Sequence, residues 1–188
     1  MYNSNTFFIR LLDMKDKPSV LKLFRVAVLT DTFYTAFKIK EDDKEKFLEK
    51  EAEITVDRFL SEPYSLGIFK SGELIGFALG ALFSFSDKSF GFFTGAEDFV
   101  CISRTVSHDL NGDTLIIPFL CSDLVFRKIG AEAMLLDDLQ SYFNSFNISL
   151  IVPDDCETVM YTRRNFRKQI LPSKNLFVFK DSAVRRNT

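Results

Sequence analysis

The sequence is poor in the residues that build metal sites and disulfide frameworks, with one histidine and three cysteines among 188 residues. Cys101, Cys121 and Cys156 are odd in number, far apart and outside any metal-ligand spacing, so we expect neither a disulfide framework nor a metal site. Cys121 lies in an apolar run, where a cysteine acts as a small core residue. His108 precedes a turn in VSHDLNG; we interpret it as a loop histidine, with a catalytic role left open.

Long hydrophobic runs and an excess of charge of one sign are also missing. The apolar run at residues 115–121 is far shorter than a membrane-spanning helix, and the N-terminal MYNSNTFFIR lacks the basic start and long apolar segment of a signal peptide. A formal net charge of -2 argues against a protein that coats nucleic acid, which needs a dominant basic face. We therefore expect a cytoplasmic protein with neither a membrane nor a nucleic acid as its partner.

The composition is that of a globular chain, with 46% hydrophobic and 27% charged residues. Strand and helix patterns alternate along it without a repeat or a linker, so we expect one mixed α/β domain over residues 1–188, with a core of about 6–181. The predicted elements are a strand at 7–12, helices at 18–29 and 41–62, a hairpin of strands at 65–70 and 73–82, a helix within 96–110, a strand, turn and helix within 114–146, a strand at 148–152, a helix capped by Asp154 or Asp155, and a strand at 175–180.

The stretch at residues 114–146 combines a strongly apolar strand, a tight turn and an amphipathic helix. A strand that feeds directly into a helix leaves backbone N–H groups at the helix N-terminus without intrahelical partners. Together with the helix dipole they form a site suited to a phosphate or another anion. The turn is therefore the first place where we expect function.

The order of elements, the hairpin SLGIFKSGELIGFALG, the strand-turn-helix and the segment VMYTRRNF together resemble the GCN5-related N-acetyltransferase superfamily. The resemblance spans nearly the whole chain and is greatest to the invertebrate arylalkylamine (dopamine-type) branch. It implies an acyl-CoA N-acyltransferase domain, with a mixed central sheet whose strands splay apart between flanking helices. It also implies an enzyme that binds acetyl-CoA in that gap and transfers the acetyl group directly to a small amine.

The family's turn motif is Arg/Gln-x-x-Gly-x-Gly/Ala, which we align with residues 125–130, VFRKIG. Only Gly130 matches, because Val125 replaces the polar first residue and Lys128 replaces a glycine at which the backbone approaches the phosphates. Arg127 is the arginine that many relatives carry just before that glycine. The resemblance implies that the cofactor contacts come from Ser122, Asp123, Leu124, Arg127, Lys128, Ile129, Gly130 and Ala131.

Glu132 adds a negative charge to the first turn of the predicted helix. A carboxylate there favours the positive end of the helix dipole, but it repels the cofactor's pyrophosphate unless the side chain points away.

Three residues resemble the family's catalytic groups. Tyr161, followed five residues later by Phe166, matches a tyrosine whose hydroxyl protonates the departing thiolate. Asp31, after the first helix, and Asp113, at the start of the central strand, are alternatives for the base that deprotonates the amine, and a water chain is a third. Backbone N–H groups around residues 122–124 are expected to polarise the thioester carbonyl. Each side chain also has an ordinary structural interpretation, as a half-buried tyrosine or a turn aspartate.

Phenylalanines and one tyrosine cluster at residues 33–37 and 83–93, which in relatives line the acceptor pocket. They suit an arylalkylamine, although a chain with 22 phenylalanines also uses them throughout its core. Two functional interpretations remain open: an acetyl-CoA-dependent N-acetyltransferase, or a catalytically inactive protein of the same fold that binds CoA or a protein partner. The sequence specifies neither the amine nor the oligomeric state.

Overall fold

The computed structural model describes residues 7–30, 41–82, 114–127, 129–152, 167–170 and 175–179. The described strands form one seven-stranded sheet in the order β1-β2-β3-β4-β5-β7-β6. The strands are β1 (Phe7–Leu11), β2 (Leu66–Lys70), β3 (Glu73–Leu82), β4 (Thr114–Ser122), β5 (Asn147–Val152), β6 (Arg167–Ile170) and β7 (Asn175–Phe179). The described helices are α1 (Lys17–Thr30), α2 (Lys44–Lys50), α3 (Ala52–Leu60), α4 (Leu124–Arg127) and α5 (Ala131–Tyr142).

Strands β1 to β4 are antiparallel neighbours, whereas β4 and β5 run parallel. The β2–β3 hairpin turns at Ser71 and Gly72, whose φ angles of 52° and 85° are both positive, as a type I′ turn requires. A register shift in the β3–β4 pairing falls between Leu79 and Ala81. There the Gly80 N–H donates to the hydroxyl of Ser65 at 3.2 Å, so an amide at the irregularity is satisfied by a side chain.

Two apolar clusters lie on opposite faces of the sheet. On one face α1, α2 and α3 pack against the alternate residues Phe77, Phe119 and Cys121, and on the other α5 packs against residues such as Leu120. All nine residues of β4 are buried, as expected of a central strand covered on both faces. Cys121 is fully buried in this core, which confirms its interpretation as a core residue, and burial raises the pKa of its thiol well above the ordinary value.

The structure confirms the predicted hairpin, the strand-turn-helix and the strands near residues 7, 148 and 175. The helix predicted at 41–62 is wrong in one respect, because a break at Glu51 divides it into α2 and α3. Strand β6 was not predicted. The helices predicted within 96–110 and after Asp154 lie outside the described residues. Among the described helices, none is long and apolar enough to cross a membrane.

Candidate active site

Strands β4 and β5 separate part-way along their length. They pair at four positions, from Thr114 opposite Asn147 to Ile117 opposite Leu150. Beyond that point β4 continues to Ser122 and β5 to Val152 without pairing to each other, while the opposite edge of β5 pairs with β7 from Ile148 to Val152. Pro118 is the first β4 residue past the pairing, and it has no N–H with which to continue the ladder. The two strands therefore diverge toward their carboxyl ends.

Backbone amides of β4 line the side of the strand that β5 leaves. The Asp123 N–H donates to the Ile75 carbonyl at 2.8 Å, which extends the β3–β4 ladder by one residue. Because successive residues of a strand point their amides to alternate sides, the N–H groups of Leu120 and Ser122 point away from β3, toward the gap. We expected the backbone amides around residues 122–124 to face the thioester carbonyl. The Asp123 amide instead pairs within the sheet. The Leu120 amide, which was not predicted, lies on the same side of β4 as that of Ser122.

The turn after β4 is a short helix that satisfies much of its own backbone. The Asp123 carboxylate accepts from the Val125 N–H at 2.9 Å, and its carbonyl accepts from the Phe126 and Arg127 N–H groups at 2.9 and 3.0 Å. We expected these amides to point out of the turn toward an anion. That expectation is wrong for residues 125–127, because an aspartate in this position caps a helical turn.

The second half of the turn leads into α5 through Gly130. This residue has a φ of 82° and is the N-cap of α5. A Cβ at Gly130 would meet only the Ala133 Cβ at 3.8 Å, so glycine is needed for its left-handed backbone and not for space. The first helical hydrogen bond of α5 runs from the Met134 N–H to the Gly130 carbonyl at 3.1 Å. The preceding N–H groups at the start of α5, including those of Ala131 and Ala133, form the positive end of this helix.

Glu132 lies behind this helix start and points inward. Its side chain is only 3% exposed, and it accepts a hydrogen bond from the Ser122 hydroxyl at the end of β4. The Arg127 Nε lies 3.9 Å from the same carboxylate oxygen. Ser122 and Arg127, both predicted as cofactor contacts, are therefore brought together with Glu132, whose carboxylate is directed into the protein.

The outer surface of the turn is apolar, with Leu124, Val125 and Ile129 all exposed. Phe126 fastens the turn to the sheet by an edge-to-face contact with Phe7, at 6.4 Å between ring centroids. The Lys70 ammonium lies 5.0 Å from the Phe126 ring centroid, which places a second cation beside the turn. Lys70 could not be singled out from the sequence, because nothing local in the hairpin signals that this residue lies beside Phe126.

Solved structures of N-acetyltransferases share this arrangement of strands and helices. Drosophila melanogaster polyamine N-acetyltransferase aligns over 93% of this chain and 100% of its own, with a TM-score of 0.64 and 10% identity. Arylalkylamine N-acetyltransferase 2 from Aedes aegypti aligns over 93% and 97%, with a TM-score of 0.62 and 14% identity. A PaiA N-acetyltransferase from Thermoplasma acidophilum, in complex with coenzyme A, aligns over 93% and 99%, with a TM-score of 0.61 and 13% identity.

The chain has the fold of the GCN5-related N-acetyltransferases. No protein-family model matches the sequence, and no curated protein matches it significantly. The fold thus confirms the mixed α/β domain of the acyl-CoA N-acyltransferase type that the sequence predicted.

Within this acetyltransferase fold, the described residues include Ser122, Asp123, Leu124, Arg127, Ile129, Gly130 and Ala131 of the predicted cofactor contacts. They follow one another from the end of β4 to the start of α5. Lys128 lies outside the described residues, as do Tyr161, Asp31 and Asp113. Their proposed roles therefore remain predictions. Among the described residues, no group of His, Cys, Asp and Glu side chains could hold a metal ion.

Proposed function

We propose that this protein is an acetyl-CoA-dependent N-acetyltransferase that acts on a small amine. The observation that carries the proposal is the divergence of β4 from β5 after Ile117, which leaves the Leu120 and Ser122 amides on the edge of β4 that β5 no longer pairs, beside the start of α5. A pantetheine chain and its thioester suit such a gap, because the amide groups of pantetheine can replace the strand partner that β4 has lost. Solved structures of the same fold bind coenzyme A or acetyl-CoA.

The N-terminus of α5 is the proposed site for the pyrophosphate, since its first-turn N–H groups and dipole favour an anion. Gly130 supports a motif register two residues later than the one first aligned, Arg127-x-x-Gly130-x-Glu132. In this register the glycine falls on the residue whose backbone is left-handed, and Arg127 supplies the polar first position. A single position then departs from the motif: Glu132 stands where the family has Gly or Ala.

The gap also suits the chemistry of direct acetyl transfer. The Leu120 and Ser122 amides would donate to the carbonyl oxygen of the thioester and stabilise the negative charge that develops when the amine attacks. Asp31 or Asp113 would accept the proton from the substrate ammonium, directly or through water. As the C–S bond breaks, the Tyr161 hydroxyl would donate a proton to the leaving thiolate, and the proton that the nitrogen loses on forming the amide would restore the tyrosine. No covalent intermediate with the protein is required.

The acceptor amine is the finer part of the proposal. We propose an arylalkylamine, because the aromatic clusters at residues 33–37 and 83–93 suit an aromatic ring and neighbours of this fold include arylalkylamine N-acetyltransferases. A polyamine or agmatine is the competing class, since other neighbours act on these. A panel of phenylethylamine, tryptamine, agmatine and spermidine discriminates between the classes by relative kcat/KM.

Binding of acetyl-CoA is the first test. A ligand present at a thousandfold excess over its Kd stabilises the folded protein by about 4 kcal/mol, so the melting temperature should rise saturably with acetyl-CoA. No shift at millimolar acetyl-CoA would contradict the proposal.

If binding is seen, release of free thiol in the presence of each amine measures turnover. A Tyr161→Phe variant should lose kcat by about a hundredfold with little change in acetyl-CoA affinity, and an unchanged kcat excludes the tyrosine as general acid.

The second functional hypothesis, an inactive protein of this fold that binds CoA or a protein partner, has its own support. Asp123 already accepts hydrogen bonds from the backbone N–H groups of residues 125–127, and the buried Glu132 carboxylate lies at the start of α5. Saturable binding of CoA without acetylation of any amine in the panel would favour it.

A further inference from the structure

Glu132 is a charged residue in an unusual place. Glutamate is seldom buried unless its charge is paired, yet this side chain is almost fully enclosed between the end of β4 and the first turn of α5. Three features stabilise the carboxylate there: the Ser122 hydroxyl, the Arg127 guanidinium and the positive end of the α5 dipole. The helix start therefore already carries an anion that belongs to the protein itself.

The same three features are those that an external phosphate group would use. A pyrophosphate at the start of α5 draws on the helix dipole and on Arg127, and Ser122 lies at the adjoining end of the strand. A guanidinium neutralised by one carboxylate attracts a second anion less strongly, and the carboxylate itself repels that anion. The inward direction of the side chain lengthens the distance between the two charges, but their repulsion persists because Glu132 is buried and its charge is weakly screened.

We propose that Glu132 acts as an internal anion that competes with the pyrophosphate of the acyl donor for Arg127 and the α5 N-terminus. It makes this site selective against the phosphate-bearing part of the donor, so that most of the binding free energy comes from the pantetheine arm. This inference rests on the proposed function, because it assigns the acyl-CoA site to the gap beside β4. Glu132 is then a specificity-determining residue that weakens the affinity for acetyl-CoA. At the same time, its hydrogen bond from Ser122 links α5 to β4.

The decisive variant is Glu132→Gln, which keeps the shape of the side chain and an oxygen that accepts from Ser122 but removes the charge. Isothermal titration calorimetry at low ionic strength should show acetyl-CoA binding about tenfold tighter than in the wild type, which corresponds to about 1.4 kcal/mol. S-acetylpantetheine, which lacks the pyrophosphate, should bind both proteins with affinities within about twofold of each other. The gain should shrink as salt is added.

Asp137→Asn is the matched control. Asp137 is an exposed acid in the middle of α5, so its removal changes the net charge by the same amount, away from the helix start. It should leave both affinities unchanged. Equal tightening by the two variants would overturn the proposal in favour of a general charge effect. Unchanged or weaker acetyl-CoA binding by Glu132→Gln would also overturn it, the latter because Glu132 would then be positioning Arg127 for the phosphate.

A measurement on the wild type keeps the inference testable if Glu132→Gln does not fold. The ratio of acetyl-CoA to S-acetylpantetheine affinity should be below about tenfold, and a ratio above a thousandfold would overturn the inference.

Tight acetyl-CoA binding by Glu132→Gln alone would support the inference while contradicting acetyl-CoA-dependent activity in the native protein. Acetyl-CoA binding by neither protein would count against both ideas, whereas equal binding by both would overturn only the inference.

Discussion

The two edges of β4 behave differently, although they belong to the same nine residues. The edge toward β3 is paired from Leu115 to Ser122, and the Asp123–Ile75 hydrogen bond continues the ladder beyond the strand. The edge toward β5 is paired only as far as Ile117. One edge is therefore fully paired within the sheet, whereas the other loses its strand partner beside the candidate site.

The side chains show the same division. Phe119 points into a close-packed group in which its ring lies 5.1 Å from that of Phe24 and 5.5 Å from that of Phe59. At the divergent end, Ser122 and Glu132 place polar groups inside the protein, and the adjoining turn exposes Val125 at 74%. The comparison indicates that changes to the packed region should act on stability, and changes at the divergent end on binding.

Phe119→Ala should give the largest effect on stability. Removing a fully buried ring that contacts two other rings leaves a cavity, which we expect to lower the free energy of unfolding by about 3–5 kcal/mol. Urea denaturation measures the loss. Val125→Ala, at the exposed turn, should change stability by less than about 0.5 kcal/mol. Similar losses for both variants would remove the distinction between the two regions.

Gly130→Ala should affect both stability and binding. A non-glycine residue with a left-handed backbone costs about 1–2 kcal/mol, and relaxation of that strain would shift the α5 N-terminus. We therefore expect acetyl-CoA to bind about tenfold more weakly, as measured by calorimetry.

Gly72→Ala provides the control for Gly130→Ala. Gly72 has a similar φ of 85° in the β2–β3 turn, and no atom lies within 4 Å of an added Cβ. The same backbone strain should cost similar stability without weakening acetyl-CoA binding. If both glycine variants bind acetyl-CoA normally, the start of α5 is not the pyrophosphate site.

Local patterns were sufficient for much of the fold. The Ser71-Gly72 turn lies between two apolar runs, and the run at 115–121 has the length of a buried strand and follows the Asn111-Gly112 turn signal, so both were predictable. Strand β6, with the sequence RKQI, has no alternation of apolar and polar residues. Its pairing with β7, the next strand along the chain, defines it as a strand, because RKQI by itself carries no strand pattern.

The site was less predictable, for a related reason. The divergence of β4 and β5 depends on two strands separated by a helix, and the only local signal was Pro118 within an apolar run. The burial of Glu132 could not be predicted, because an acidic residue in the first turn of a helix is ordinarily solvated there. The Asp123 cap did carry a signal: an aspartate directly before a short helical turn is a common N-cap.

Asp16→Asn should give the smallest effect and one confined to stability. The hydrogen bond from Arg10, at 2.7 Å, holds the pKa of Asp16 below its ordinary value of 3.8, against the opposing effect of burial. A lowered folded-state pKa means that the ionised carboxylate stabilises the fold above about pH 4 and that this contribution is lost as the pH falls through the folded-state pKa.

Because Arg10 is 42% exposed, screening limits the expected loss of stability in Asp16→Asn at neutral pH to about 1 kcal/mol. The difference between wild type and variant should shrink on acidification below pH 3.8, in urea denaturation series at several pH values. Asp42→Asn, at an exposed acid in the turn before α2, is the control for the loss of one charge and should change stability by less than about 0.5 kcal/mol at neutral pH. Because Asp16 lies on the β1 side of the sheet, acetyl-CoA affinity should stay the same; a change there would mean that the two edges of β4 are coupled through the sheet.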